Sequence, residues 1–513
     1  MNVSDLIIRC SIRSLRYASF YGGFSYSNEL CDFASLTATG NSVIVDGIGG
    51  YARSPVNHIS IENRLNIHSA RSTVAGVQNF QHIGFYVPAD LATNGGAGGN
   101  DAMLYVNKIG TTHITGATVS LTVDPAHDKL QAGDHLVLIN VNPGELKEHP
   151  VNDKARANAG VTLSYDFDIL IPTSNLNQLW AYLPIDPTVN PETEDFSKGY
   201  LAGMSLLSQG LDLISWNDLI SWHGLNEADR AAREACCCGY EMFFDMSGGW
   251  SRFDTGCHVD MSSLSLIAGV AKYRKFNPGF LTLGAFFEYG TGSYDTDTVF
   301  DDFGPVRGSG HIRYYGGGVL GRMDFNAVGR WRSYAETSVR VGGLTNGYYN
   351  RDIRDNKGVA ASYDASAPYY GVHLGGGKIW DITNKSTLDL YAKYLWTGLG
   401  GDAVTLSTGD PVDFQCVNSH RTRLGARYSD VSRRTFRPYI GAAWEYEFAG
   451  DARATTYGYA LDVPTLRGGT GIGELGVSWK PSTYRGCFVD LGIHGYTGIR
   501  EGLAANLSVG RNF

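Results

Sequence analysis

The C-terminal half of the sequence alternates between apolar and mixed side chains, and this period of two constrains the fold more than any other feature. From Leu281 to Tyr289, every odd-numbered residue is apolar or aromatic, whereas the even positions include Thr282, Gly284 and Glu288. Successive side chains of a β-strand point to opposite faces, so the pattern predicts strands. Similar segments start near residues 240, 262, 279, 310, 331, 368, 386, 419, 436, 471, 484 and 501. About twelve antiparallel strands are therefore predicted over residues 239–513.

The two faces of these strands differ in charge. A soluble sandwich would also alternate, but here the mixed face collects charges of both signs, whereas Arg or Lys on a lipid face costs about 2–4 kcal/mol at the midplane. Charges that point into a lumen can pair there. We therefore predict an all-β fold with a transmembrane β-barrel of about 12 strands. The predicted lumen charge network comprises Glu288, Glu336, Arg340, Asp389, Arg421, Arg423, Arg427, Glu445, Glu447, Glu474 and Asp490.

A helix is predicted before the barrel, over residues 196–222. Leu201, Met204, Leu207, Leu211 and Ile214 recur at spacings near three and four. The segment also keeps small residues, namely Gly199, Ala202, Gly203, Ser205, Ser208 and Gly210. Glycine destabilises a helix, and close approach to a surrounding wall would explain its presence. The segment by itself is equally compatible with an amphipathic helix on a globular surface.

Residues 40–190 have a different pattern, with short β-rich pieces such as "HIGFYVPAD" and "DHLVLINVN" separated by Gly, Asn and Asp. Short strands that turn at small residues favour a stacked β-solenoid. A Pro- and acid-rich break, "DPTVNPETEDFS", separates this region from the helix. Residues 1–39 receive no assignment.

Several motifs that would indicate catalysis or a cofactor are missing. The sequence has no HExxH, G-x-S-x-G or P-loop, and the string "GIGELG" at Gly471–Gly476 lies inside an alternating strand, so it indicates glycines at crowded lumen positions. Eight cysteines show no zinc spacing, and the contiguous Cys236, Cys237 and Cys238 are expected to be free or partly oxidised. The formal net charge of -9 disfavours nucleic acid as a partner. No enzyme activity, metal or cofactor is expected.

The two termini of the chain carry further information. "MNVSDLIIRCSIRSLRYASF" has no signal-peptide pattern, so either export follows another route or the true N-terminus is missing. The C-terminal "AANLSVGRNF" alternates up to its last residue, which predicts a final strand that closes the barrel wall.

Long stretches of the sequence resemble a known family. "KGYLAGMSLLSQGLDLI", "LTLGAFFEYGTGSYDT", "RYYGGGVLGRMDF" and "PYIGAAWEYEFAGDARATTYGY" are similar to the C-terminal part of type V autotransporters, and the resemblance covers most of residues 70–513. It implies a monomeric barrel in the bacterial outer membrane that translocates and displays its own passenger, here a remnant over residues 40–190. The helix from about Phe196 to Leu213 would remain as a plug.

The resemblance also implies partners and signals. The barrel-assembly machinery and periplasmic chaperones would insert the barrel among the outer-membrane lipids. Leu507, Val509 and Phe513 look like the terminal signal read by that machinery, from which Arg511 departs.

Other functions compatible with the sequence are an adhesin that acts through the passenger remnant, a simple outer-membrane pore, and protease or esterase chemistry in the passenger. Some autotransporters release the passenger by cyclisation of an Asn in the helix, and Asn217 followed by Asp218 is a candidate here. The usual Asn-Asn pair is absent, and capping of the helix end is the simpler role.

Overall fold

The computed structural model describes residues 19–21, 35–39, 42–46, 64–74, 76–78, 80–106, 112, 114–146, 149–215, 238–256, 258–300, 304–355, 358–433, 435–480 and 487–512. The chain divides into two compact units. The first comprises Met1–Asn190, Asp355–Val359 and Thr408–Asp410, and the second comprises Pro191–Arg354, Ala360–Ser407 and Pro411–Phe513.

The first unit consists of short strands. They are β1 Ser19–Tyr21, β2 Ser35–Thr39, β3 Ser42–Asp46, β4 Arg64–Ile67, β5 Ser72–Val74, β6 Gly76–Gln78, β7 His82–Val87, β8 Ala102–Val106, β9 Thr118–Val123, β10 His135–Val141, β11 Lys154–Ala159, β12 Leu163–Leu170, β13 Gln178–Tyr182 and β14 Thr188–Val189. A 3-10 turn at Thr93–Gly98 precedes β8.

Most pairs in the first unit are parallel. Strands β2, β4, β7, β9 and β11 are neighbours in one parallel series, and β5, β8 and β10 form a second. From β4 to β10, each pass of the chain therefore adds one strand to each series. The antiparallel strands β12 and β13 join the two series, because β12 pairs with β11 and β13 pairs with β10. Apolar side chains such as Phe85, Leu104, Leu121 and Leu138 are buried.

The second unit contains the helix and the long strands. Its elements are helix α1 Glu194–Ser215, then β15 Cys238–Asp254, β16 His258–Phe276, β17 Gly279–Phe300, β18 Gly304–Phe325, β19 Trp331–Arg354, β20 Ala360–Thr383, β21 Ser386–Leu399, β22 Asp402–Thr405, β23 Pro411–Phe414, β24 Val417–Asp430, β25 Phe436–Glu447, β26 Ala454–Thr456, β27 Tyr459–Ala460, β28 Gly468–Trp479, β29 Cys487–Gly498 and β30 Arg500–Asn512. A 3-10 turn at Pro191–Thr193 leads into the helix.

Strands β15 to β21, β24, β25 and β28 to β30 form a closed antiparallel barrel. The predicted number of about twelve strands is thereby confirmed within the described residues. The barrel closes where β15 pairs with β30, from Glu241 opposite Asn512 to Phe253 opposite Arg500. The C-terminal strand is ordered because it completes the wall and leaves no unpaired edge.

The barrel strands separate their side chains as the alternation predicts. On β19, Val339 and Val341 are 50% and 52% exposed, whereas Arg340 between them is 1% exposed. On β17, Leu283 and Phe287 are 57% and 53% exposed, and Glu288 is fully buried. The apolar set therefore faces outward and the charged set faces the lumen.

Four shorter strands lie outside the barrel wall. Strands β22, β23, β26 and β27 form a separate sheet in that order. They belong to the two long connections between β21 and β24 and between β25 and β28. The connections at the opposite end of the barrel are short, as between β20 and β21. In barrels of the outer membrane, the short turns lie in the periplasm and the long loops lie outside the cell.

Candidate functional site

Helix α1 lies in the lumen of the barrel. Strands β15 to β21 and β24 all lie against it. Its side chains are buried all round, including the charged groups of Asp195, Lys198 and Asp212. Buried charges are costly unless they are paired or hydrogen-bonded, so the barrel wall must supply partners.

At the N-terminal end of the helix, the Asp195 carboxylate accepts hydrogen bonds from four groups on β17 and β19. The donors are the hydroxyls of Thr296 (2.8 Å), Thr298 (2.9 Å) and Tyr348 and the side-chain amide of Asn350 (3.0 Å). A carboxylate in the first turn also interacts favourably with the positive N-terminal end of the helix dipole. These bonds fix the depth at which the helix starts.

In the middle of the lumen, Arg340 connects the wall to the helix backbone. Its guanidinium donates to the Leu207 carbonyl, and it lies 2.9 Å from the Glu288 carboxylate. Glu288 also accepts a hydrogen bond from the Tyr369 hydroxyl at 2.7 Å. Each partner of this buried ion pair therefore has one further hydrogen bond, which reduces the free-energy cost of burying the two charges.

Asp212, toward the C-terminal part of the described helix, forms ion pairs with three arginines of the barrel wall. Its carboxylate lies 2.8 Å from Arg421, 2.6 Å from Arg423 and 3.0 Å from Arg500. Glu445 shares two of these cations, at 3.2 Å from Arg421 and 2.6 Å from Arg423. We call these five residues the Asp212 cluster.

A second charge cluster contacts Ser215, the last residue of the helix that the structure describes. The Lys393 ammonium donates to the Ser215 carbonyl and lies 2.9 Å from Glu336. Glu336 also lies 3.1 Å from Arg322 and 3.5 Å from the His373 ring nitrogen. The Ser215 carbonyl therefore has a hydrogen-bond donor on the barrel wall.

The remaining predicted lumen residues form smaller groups. Arg427 and Glu474 make a two-point ion pair at 2.7 and 2.9 Å. Asp389 accepts from the Tyr334 hydroxyl at 3.1 Å, and Asp490 accepts from Tyr439 at 2.8 Å. Glu447 accepts from the backbone N–H of His420 at 2.7 Å. All predicted network residues thus face the lumen, but they form separate clusters at different places on the wall.

The sequence did not predict the two helix carboxylates of these contacts, nor three of the wall cations that form ion pairs in the lumen. Asp195, Asp212, Arg322, Lys393 and Arg500 were not predicted as site residues. A signal was present in the helix, because Asp195 and Asp212 are acidic residues in a segment that is otherwise mostly small or apolar. A carboxylate in such a helix requires a partner once the helix is enclosed.

The glycines of the helix differ in how closely the barrel wall approaches them. A Cβ atom on Gly199 would stand 2.6 Å from the Tyr348 ring and 2.8 Å from the Tyr363 hydroxyl. A Cβ atom on Gly203 would meet its nearest neighbour, the Leu344 side chain, at 3.3 Å. Close approach to the wall therefore accounts for Gly199, as the sequence predicted.

Gly199→Ala is expected to destabilise the barrel and Gly203→Ala is not. Ala is favoured over Gly in a helix by about 1 kcal/mol, but overpacking costs roughly 1–3 kcal/mol where rigid rings cannot move. Tyr348 and Tyr363 are stacked at 5.0 Å, which restricts both rings. The measurement is the temperature at which the folded barrel loses its fast electrophoretic migration. A lower transition for Gly203→Ala than for Gly199→Ala would contradict the packing argument.

The other predicted site residues lie on the last barrel strand or outside the described residues. Leu507 and Val509 lie on β30 opposite Met246 and Phe244 of β15. Phe513, Asn217, Asp218, Cys236 and Cys237 lie outside the described residues, as do residues 216–222 of the predicted helix. Cys416 and Cys487 are free thiols.

The described residues contain neither a helix that could span a membrane nor a group of side chains that could hold a metal ion. In that part of the chain, no helix combines the length and apolar character needed to span a bilayer. Nor do three or more His, Cys, Asp or Glu side chains come together there as a group that could hold a metal ion.

The barrel is similar to known autotransporter domains. No curated protein matches this sequence. Three similar solved structures are the beta domain of the Bordetella autotransporter BrkA (14% identity, 54% of this chain, 99% of that chain, TM-score 0.41), the transport unit of the Escherichia coli autotransporter AIDA-I (16%, 63%, 98%, 0.41) and the translocator domain of the Neisseria meningitidis autotransporter NalP (13%, 62%, 98%, 0.44). The family model for the autotransporter beta-domain matches residues 242–486, which lie in the part of the chain that forms the barrel.

Proposed function

We propose that residues 239–513 translocate the chain's own N-terminal segment, residues 40–190, across the bacterial outer membrane and keep it at the cell surface. An autotransporter beta-domain is an outer-membrane barrel that mediates translocation of its passenger, so location and general role follow from the family. The observation that carries the proposal is the helix in the lumen, because α1 follows directly on the N-terminal segment and is bound along its length by the barrel wall.

The outer face of the barrel supports placement in a membrane. On β18, the exposed aromatic residues Phe325 and Tyr315 stand ten positions apart, with the 58% exposed Val319 between them. Ten residues of a strand tilted by about 40° span roughly 25 Å, which equals the apolar band of outer-membrane barrels. Aromatic residues at both limits of such a band are typical of the two interfaces.

The passenger remnant is proposed to be a β-solenoid. Two parallel series of short strands, with a new strand added to each on every pass of the chain, support this interpretation. The antiparallel strands β12 and β13 would then close the end of the solenoid that is nearest the helix in sequence. We propose no catalytic activity for the chain.

The plug is proposed to stay in place after translocation. Asp195, Arg340 and the Asp212 cluster hold the helix at three levels, and a filled lumen does not favour a simple pore. Helix residues 194–215 include no Asn, so cyclisation within them has no nucleophile of that kind. Insertion by the barrel-assembly machinery with periplasmic chaperones, and a monomeric state, are also proposed. An adhesin role for the remnant would require binding that survives when residues 40–190 are produced alone.

The test is surface labelling of intact cells that produce the full chain. An epitope inserted at Val151, which is 69% exposed, is expected to bind antibody on intact cells. The matched control is an epitope at Val328, which is 79% exposed in the short turn between β18 and β19 and is expected to bind antibody only after lysis. Labelling of Val328 but not Val151 on intact cells would reverse the proposed orientation.

A further inference from the structure

An arginine lies on the outward face of the barrel just beyond the apolar band. On β18, the outward positions after Tyr315 are Arg313 and His311, and both are exposed. Two residues of a tilted strand add roughly 5 Å along the barrel axis. Since Tyr315 marks the outer limit of the band, Arg313 stands at the level of the lipid head groups.

The neighbours of Arg313 on both sides carry hydroxyl groups. Its Cα lies opposite Thr291 of β17 and Thr345 of β19. Directly opposite residues in antiparallel strands have Cβ atoms about 4.5–5.5 Å apart. All three side chains point outward, because the alternate residues of these strands face the lumen. The guanidinium therefore has a hydroxyl group on each side.

Arg313 differs from other outward-facing arginines at this end of the barrel. Arg252 lies 2.7 Å from Asp260, and Arg307 lies 3.4 Å from Asp297. Among the residues that the structure describes, the Arg313 guanidinium has neither an ion pair nor a hydrogen bond. The outward carboxylate of Asp295 is opposite Ser309, four residues along β18 from Arg313.

We propose that Arg313, flanked by Thr291 and Thr345 and with His311 above it, binds a phosphate group of a phosphorylated glycolipid in the outer leaflet. A guanidinium is planar and binds phosphate oxygens with two parallel N–H donors, and neighbouring hydroxyls can donate to the same oxygens. Lipid is the occupant because the patch continues directly from the apolar band that contacts the acyl chains. The inference rests on the membrane placement proposed above.

The experiment measures binding of lipid A to the purified full chain in detergent, by native mass spectrometry. The probes are lipid A with both phosphates and the same lipid without phosphate. Arg313→Gln is expected to weaken binding of the phosphorylated lipid about fivefold, which is the typical contribution of one basic residue at an anionic membrane surface. Arg307→Gln, on the same strand face, is the matched control and should bind like the wild type. Arg313→Lys keeps the charge and should lose less than Arg313→Gln.

Each outcome of this experiment decides for or against the site. Equal binding of the two lipids by the wild type would overturn the proposal even if a variant failed to fold. Unchanged binding by a folded Arg313→Gln barrel, or an equal loss in Arg307→Gln, would overturn it as well. Surface labelling at Val151 does not depend on Arg313, so failure here and failure of the proposed function are distinguishable.

Discussion

Deletion of residues 197–222 from the full chain is expected to convert a barrel of low conductance into an open channel. The deleted segment includes nearly all of α1, whose side chains fill the lumen and are bound by Arg340 and by the Asp212 cluster. Water and ions would occupy the vacated space, because the lumen wall left behind carries many charged groups. The measurement is single-channel conductance in planar bilayers, with a steady current expected in place of the background leak.

Gly203→Ala is a suitable control for the deletion, because it keeps the helix and adds one methyl group whose nearest neighbour, at 3.3 Å, is the flexible end of the Leu344 side chain. It should conduct as little as the wild type. Folding of the deleted barrel is checked by its heat-modifiable migration. If a folded barrel without the helix conducts no more than the intact chain, the helix is not what closes the lumen.

Asp212→Ala is expected to cause the largest loss of stability of any single substitution in the helix. Removing this carboxylate leaves the guanidinium groups of Arg421, Arg423 and Arg500 facing one another in a buried site, with Glu445 as the remaining acid of the cluster. Removing one partner from a buried ionic site costs about 3–5 kcal/mol. The transition temperature of the folded barrel should fall, and conductance should rise as the helix loses its anchor.

Asp166→Ala is the matched control for this prediction. Asp166 pairs with Arg156 at 3.7 Å, and its side chain is 52% exposed. Exposed pairs contribute roughly 0–1 kcal/mol, so this variant should behave nearly as the wild type. Asp212→Glu, which keeps the charge, should lose less stability than Asp212→Ala. Similar transitions for Asp212→Ala and Asp166→Ala would show that the cluster does not hold the helix.

The starts of several barrel strands could be predicted to the residue, and others could not. Strands β17, β19, β21 and β25 begin at the predicted positions 279, 331, 386 and 436. Strand β18 begins at Gly304 instead of near 310, and β20 begins at Ala360 instead of near 368. Beyond the apolar band, outward positions need not be apolar, and polar residues such as Ser309 and Asp295 occupy them. The alternation is lost there although the strands continue.

Which lumen charges meet could not be predicted from one sequence. Glu288 and Arg340 lie two strands apart and pair at 2.9 Å, whereas Asp389 meets a tyrosine hydroxyl. Pairing depends on the stagger between strands and on the reach of each side chain across the lumen. Neither is contained in the period of two.

The sequence by itself determined that the chain has outward and inward strand faces, how many strands form the barrel, and that a slim helix precedes them. Side-chain alternation and residue size are local properties, so one sequence carries them. Only the tertiary structure decided that Asp212 meets Arg421, Arg423 and Arg500. That contact depends on the depth and rotation of the helix in the closed barrel, because charges from strands far apart in sequence meet only when the wall encloses them.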